Sequence, residues 1–379
     1  MTFTVDPGRL DDEAVLRSGD PGDMLRGVAG GAAQVREAAT LSSEAGLEAL
    51  AREGRPRAVV VSGMGGSGIV GDVLAAVCGS GCPVPVVTVR DYVLPGWVGP
   101  ADLVIGVSCS GRTEETLTVT REAVRRGCRL LGVGASGSPL ADVAGQAGAP
   151  FVPVRSAGQP RATLWGLGIP LVAAARALKL VDASDEVFEA AATRLEEVSF
   201  RCRVASESFI NPAKGLALEL AGSLPMIWGT SPLARLAAYR FSCQLAENAK
   251  YPSICGGLPE ANHNQVVTLD GPLAGAAREE DIFRDRVEDP AGEARLRLVV
   301  LRDTDEHPQV AKRREVSVGL AAERGVEISE VAAEGAHPLE RLASLVGVID
   351  YTTVYLALLL DIDPTPVSVI EELKARIAL

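Results

Sequence analysis

Short blocks of consecutive apolar residues recur along this chain, each followed by small or turn-forming residues and then by a helical repeat. In the first half the blocks are Arg57–Ser62 (RAVVVS), Val84–Val89, Val104–Val107, Arg129–Val133 and Pro150–Val154. They are too short for helices and do not alternate with polar residues, which predicts strands covered on both faces, as in a parallel sheet. Helical periodicity fills the gaps: Ile69–Val77, then Leu117, Val119, Ala123 and Val124, then an apolar run from the Arg161 loop through Ala177. Residues 9–53 place Leu10, Val15, Leu16, Met24 and Val28 among acids and glycine breaks, the pattern of helices that pack on a later core. Residues 182–210 carry Val187, Phe188, Leu195 and Val198 at helical spacing, predicting a linker helix. The α/β theme then repeats, with Leu224–Gly229, Ala294–Arg302 and Val326–Val331 as strands and Arg235–Lys250 as a helix. The predicted organisation is a helical segment at 1–54, a first α/β domain at 55–181, a linker at 182–212 and a second α/β domain at 213–379. Each domain is a mainly parallel sheet flanked by helices, a three-layer sandwich.

Composition narrows the class of partner. A chain of 379 residues with 47% apolar content has material for two domains of ordinary size, and with 4% aromatics its packing rests on small and aliphatic side chains. The net charge of −12 argues against nucleic acid or an anionic membrane as partner, since both require a basic footprint. A phosphorylated small molecule stays open, because a few local donors decide such binding. The seven cysteines are scattered, no signal-like segment precedes Asp6, and apolar runs such as Leu167–Ala175 and Val354–Leu360 are short for a bilayer span. The expectation is a reduced, cytoplasmic protein. With three histidines, His263, His307 and His337, and no second pair for Cys78 and Cys82, neither a metal nor a cofactor is expected.

The candidate chemistry lies in the loops. Val104–Thr116 (VIGVSCSGRTEET) joins a buried strand to a helix start through Ser108, Ser110, Gly111 and Thr113. At such a junction the first helical N–H groups lack partners and carry the positive end of the dipole, so hydroxyls placed there cradle an anion. The alternative is an ordinary N-cap by Ser110 or Thr113. Gly63-Met64-Gly65-Gly66-Ser67-Gly68 also follows a strand; it fits the dinucleotide pattern G-x-G-x-x-G, with Asp91 at a distance suited to a ribose. A dinucleotide site needs one phosphate loop, however, and this half has two. Neighbouring parallel strands would converge Gly66, Ser67, Ser108, Ser110 and Thr113 on one monophosphate. Four to six bonds at about 1.5 kcal/mol each would hold a small ester at micromolar to millimolar strength. The second half offers Thr230-Ser231 and the acidic Asp303-Thr304-Asp305, so the phosphate is assigned to the first. Arg161 heads an apolar helix, either as a surface or capping residue or as a fixed cation beside a developing oxyanion. Glu247 ends the Arg235–Lys250 helix, where it could pair with Lys250 in an ordinary i,i+3 contact, and His263 sits in a polar, turn-prone loop. The charged stretch 278–295 reads as a solvated excursion.

Five motifs in order, Gly-Met-Gly-Gly-Ser-Gly at 63–68, Ser-x-Ser-Gly-x-Thr-Glu-Glu-Thr at 108–116, Gln-Pro-Arg-Ala at 159–162, Glu-Asn-Ala-Lys at 247–250 and Leu-Pro-Glu-x-Asn-His-Asn at 258–264, resemble the bifunctional phosphoglucose/phosphomannose isomerases. The resemblance runs from about residue 40 to the C-terminus. It implies two lobes of the sugar-isomerase (SIS) type, flavodoxin-like in layering, and interconversion of glucose 6-phosphate or mannose 6-phosphate with fructose 6-phosphate through a cis-enediolate. It further implies that Ser67, Ser108, Ser110 and Thr113 hold the phosphate, that Glu247 carries the proton, and that Arg161 stabilises the enediolate oxygens. His263 would open the sugar ring from the partner subunit of a homodimer. Asp361–Pro366 and Lys374 match the family's last helix, where Thr365 would line the sugar end, although a threonine before Pro366 also reads as a routine N-cap. The chain departs from the family pattern at Gln265, where glutamate is common, at Cys109 and Arg112, and at Val266–Leu269, where aromatics are usual. Two other readings follow from the same residues: a non-catalytic phosphosugar-binding protein, and an NAD-dependent dehydrogenase.

Overall fold

The computed structural model describes residues 5–155, 159–274 and 295–377. The predicted excursion at 278–295 therefore falls outside the described residues except for Arg295. The chain divides into two compact units, one formed by 27–196 with 335–343 and the other by 1–26, 197–334 and 344–379.

Helices α1 (Glu13–Gly19), α2 (Met24–Ala29) and α3 (Gly31–Glu44) precede the first sheet. That sheet comprises β1 (Val59–Ser62), β2 (Val86–Val89), β3 (Leu103–Ser108), β4 (Arg129–Gly134) and β5 (Phe151–Pro153). The interleaved helices are α4 (Gly65–Cys78), α5 (Glu114–Arg125) and α6 (Pro139–Gln146), and α7 (Leu164–Ala177) follows. The strand order is β2-β1-β3-β4-β5 and every pair is parallel. Residues of β1 and β3 are buried without exception, as their unbroken apolar character predicts. Val60, Val104 and Leu130 turn one face toward Val119 and Ala123 of α5 and Ala144 of α6. On the opposite face Gly71 of α4 meets Val61 and Thr88 so closely that a Cβ would clash. Helices thus cover both faces, giving the three layers expected.

Helix α8 (Asp185–Cys202) lies within the stretch 182–212, and α9 (Pro212–Leu220) follows it. The second sheet contains β6 (Ser223–Gly229), β7 (Ile254–Gly257), β8 (Arg295–Arg302) and β9 (Glu327–Ala332), ordered β7-β6-β8-β9 and again wholly parallel. Helices α10 (Pro232–Ala249) and α11 (Pro308–Glu323) cross over within it, and α12 (Pro338–Leu359) and α13 (Ser368–Ile377) complete the chain. Its core gathers Met226, Trp228, Leu298 and Val300 from the strands with Ala321 from α11. By length and composition α12 is apolar enough to cross a bilayer, which the short apolar runs did not suggest. Its apolar window is entirely buried in the protein, and Ser344, Asp350, Thr352 and Thr353 along it are buried as well, so it serves as a core helix.

His337 caps α12 and gives the fold a pH dependence. The Leu339 N–H donates to Nδ1 at 3.1 Å while Nε2 lies 2.9 Å from the Asp182 carbonyl, so a neutral ring protonated on Nε2 satisfies both partners. Burial pushes the pKa of His337 down, and the hydrogen bond to Asp182 opposes this without cancelling it. A folded pKa below the unfolded one contributes stability that is full above the ordinary histidine range and is lost as pH falls through the folded value. The melting temperature should therefore drop as pH falls below the ordinary histidine range. His337→Asn, which keeps a capping acceptor that does not titrate, should flatten that slope; an unchanged slope would place the titration elsewhere.

Candidate active site

In a 2-1-3-4-5 sheet the chain reverses its direction of winding between β1 and β3, and the loops leaving their carboxyl ends part to form a crevice. Ser62 of β1 pairs with Gly106 of β3, which brings the loops 63–67 and 108–113 side by side. Ser67 sits in the first turn of α4, and its Oγ accepts the Cys109 N–H at 3.1 Å, joining one loop to the other. Across the second loop, Ser108 Oγ and Thr113 Oγ1 are 2.9 Å apart. Ser110 is exposed, and its Oγ accepts the Arg112 N–H at 3.3 Å.

Thr113 occupies the N-cap position of α5 with extended backbone, yet its side chain makes no capping bond. Its hydroxyl turns to Ser108 instead, which counts against the ordinary-cap reading and leaves the first-turn N–H groups of α5 uncapped by a side chain. Two glycines set this geometry. At Gly68 a Cβ would lie 2.5 Å from the Gly63 carbonyl oxygen, so the loop closes on α4 only without a side chain. Gly111 has φ +64° and a Cβ there would come within 2.0 Å of Ser138 Oγ, the side chain that caps α6. Gly111→Ala should therefore lower stability by about 2 kcal/mol or more and weaken binding of phosphate esters with it. Calorimetry with and without ligand measures both, and wild-type values in both would contradict this account of the loop.

Gly66 packs against the 3-10 turn Pro160–Ala162, its missing Cβ position lying 3.6 Å from Arg161 Cα. Arg161 is 5% exposed, with Nη1 donating to Gln159 Oε1 at 3.4 Å. It is thus no surface residue; the arginine is held in the interior, with its backbone beside the first turn of α4. The structure brings Gly66, Ser67, Ser108, Ser110, Thr113 and Arg161 to one end of the first sheet. Asp91, weighed as a ribose partner, is exposed and its Oδ1 accepts the N–H of Tyr92.

The remaining candidates belong to the other unit. Glu247 is half-buried in the last turn of α10. Lys250 closes that helix in left-handed conformation, and its Nζ donates to the Glu247, Asn248 and Asp363 carbonyls at 2.8, 3.2 and 3.3 Å. The end of α10 is thereby tied to the turn that carries Thr365. Thr365 does not cap α13, which starts at Ser368; its N–H donates to Asp363 Oδ1 at 2.9 Å in an aspartate turn that ends before Pro366. Lys374 is exposed on α13. His263 is exposed at the end of the 3-10 turn Glu260–His263, and its side chain makes no hydrogen bond among the described residues. Gln265 accepts the Trp228 indole N–H at 2.7 Å and donates to the Cys255 carbonyl at 3.1 Å. An amide meets both demands and a carboxylate would meet only the first, which fixes the His263 loop to β6 and β7.

The equivalent crevice of the second sheet, between β6 and β8, is filled from within. Ser231 Oγ donates to Asp303 Oδ2 at 2.7 Å while capping α10, and the Asp303 N–H donates to Thr230 Oγ1 at 2.9 Å. A buried carboxylate already stands where an anion would bind, so the open cradle is that of the first sheet.

A family model described as bacterial phospho-glucose isomerase C-terminal SIS domain matches residues 209–377. The chain is also 32% identical over 322 residues to the bifunctional phosphoglucose/phosphomannose isomerase of Caldicellulosiruptor bescii, covering 84% of this chain and 89% of the relative. It belongs to that family. The bifunctional phosphoglucose/phosphomannose isomerase of Aquifex aeolicus is 31% identical over 324 residues, covering 85% and 90% of the two chains. In fold, the chain resembles the crystal structure of a hypothetical protein from Thermus thermophilus, with a TM-score of 0.71 at 15% identity over 98% of this chain and 94% of the other. Membership in the bifunctional isomerases removes the dehydrogenase reading of the glycine pattern at 63–68.

Sequence reasoning missed three supports of the candidate loops. Ser138, followed by a proline at the first position of α6, carries a recognisable cap signal. The roles of Trp228 and Cys255 as partners of Gln265 have none, since those contacts cross 37 and 10 residues.

Proposed function

We propose that this chain interconverts glucose 6-phosphate and mannose 6-phosphate with fructose 6-phosphate by moving a proton between C1 and C2 through a cis-enediolate. The observation that carries the proposal is the uncapped hydroxyl cradle at the β1/β3 crevice, where Ser108 and Thr113 lie 2.9 Å apart and Ser67 bonds to the facing loop. Membership in the bifunctional isomerase family adds the reaction class.

In this reading the phosphate accepts hydrogen bonds from Ser67, Ser108, Ser110 and Thr113 and from the Gly66 region of the α4 N-terminus. Binding energy from that remote group holds the open-chain sugar for reaction. Glu247 removes the proton from C2 of the aldose and returns it to C1, while charge develops on the two oxygens. The fixed positive charge of Arg161 favours that enediolate over the neutral sugar, and its burial keeps water from screening it. His263, contributed across a homodimer interface, moves the ring-opening proton, and Thr365 and Lys374 contact the sugar. The chemistry assigns no step to a metal or cofactor, and the setting proposed is a reduced cytoplasm.

A coupled assay starting from each aldose 6-phosphate, with chelator present, tests this. Formation of fructose 6-phosphate from both is expected. Failure with both sugars, while fructose 6-phosphate still raises the melting temperature, would make the chain a phosphosugar-binding protein instead.

A further inference from the structure

Helix α10, whose last turn carries Glu247, is fixed to α12 by a buried polar stripe. Arg240 Nε and Nη2 donate to the two carboxylate oxygens of Asp350 at 2.9 and 2.6 Å. Gln244 Nε2 donates to Asp350 Oδ1 at 3.4 Å, and Asn248 Nδ2 donates to Thr353 Oγ1 at 2.9 Å. All five side chains are buried, Asn248 and Thr353 completely. Positions 240, 244 and 248 follow one another along one face of the helix, and Glu247, two turns beyond Arg240, projects from almost the same azimuth as Arg240.

Stability does not account for such a stripe. A buried ion pair can often be replaced by apolar side chains of similar volume with no loss of stability, because desolvation offsets the Coulombic attraction. What the bidentate pair supplies is direction. Two parallel N–H···O bonds fix the rotation of α10 about its own axis, whereas apolar contacts between helices tolerate small rotations and slides. A carboxylate that must take a proton at one carbon and release it at the next depends on that rotation more than does any other group on the helix.

We infer that Arg240 and Asp350, with Asn248 and Thr353, are positioning residues that set the angle at which Glu247 meets the reacting carbons. The inference rests on the reading of Glu247 as the base. The test is Arg240→Met combined with Asp350→Leu in the full-length chain. The double variant should melt cooperatively at or above the wild-type temperature, with kcat reduced about tenfold or more and KM within about twofold. A wild-type kcat, or a loss confined to KM, would overturn it. Should the double variant fail to fold, Thr353→Val removes one hydroxyl and gives the same decision: a lowered kcat at unchanged KM supports the role and an unchanged kcat refutes it. Glu247→Gln run alongside separates the two levels. If it retains wild-type turnover, the base is misassigned and there is nothing for the stripe to position, a result distinct from stripe variants that leave kcat intact in an enzyme dependent on Glu247.

Discussion

Glu247→Gln should lower the turnover of both aldose 6-phosphates about a thousandfold while phosphate-ester affinity stays within about twofold of wild type. The amide is isosteric with the carboxylate and cannot accept the C2 proton, so the change removes chemistry and leaves shape. Its site also protects the fold from the substitution. Glu247 is half-buried, and Lys250 closes the helix through backbone carbonyls, which the variant keeps. Binding is read by the rise in melting temperature with fructose 6-phosphate, and turnover by the coupled assay. Retained turnover with weakened binding would show Glu247 to be a sugar contact and would send the search for a base elsewhere.

The second large effect concerns the cradle. Ser108→Ala combined with Thr113→Val should raise KM for the sugar phosphates about a hundredfold or more, since each lost hydrogen bond to a charged phosphate is worth about 1.5–3 kcal/mol. Changing both residues together matters, because the two hydroxyls bond to each other and a single substitution would leave one of them without that partner. Thr113 makes no capping bond to α5, so the double variant should melt within a few degrees of wild type. Inorganic phosphate should lose inhibitory potency in parallel. A variant that loses stability while keeping its KM would restore Thr113 to the role of helix cap.

The first sheet was legible from sequence because parallel strands covered on both faces need unbroken apolar runs, and β1 and β3 are such runs. The helix α4 starts at Gly65 rather than at Ile69, because its first turn is made of glycines and Ser67, whose low helix propensity hides a turn held by the loop. Strand β7 passed unread: Ile254–Gly257 holds two glycines and lacks an apolar block, and it is a strand only because β6 lies beside it. Of the site, the hydroxyl cluster could be found from its spacing, since both loops leave adjacent strands. The burial of Arg161 could not, for a charge in a loop reads as surface until the fold encloses it. The ion pair of Arg240 with Asp350 spans 110 residues and leaves no trace in local pattern.

Proton transfer at C2 is the step on which the whole reading depends. Fructose 6-phosphate incubated with the enzyme in deuterium oxide should yield both glucose 6-phosphate and mannose 6-phosphate carrying deuterium at C2, and Glu247→Gln should suppress both. Fructose 6-phosphate that binds and raises the melting temperature, yet yields neither aldose and exchanges no proton, would contradict the account.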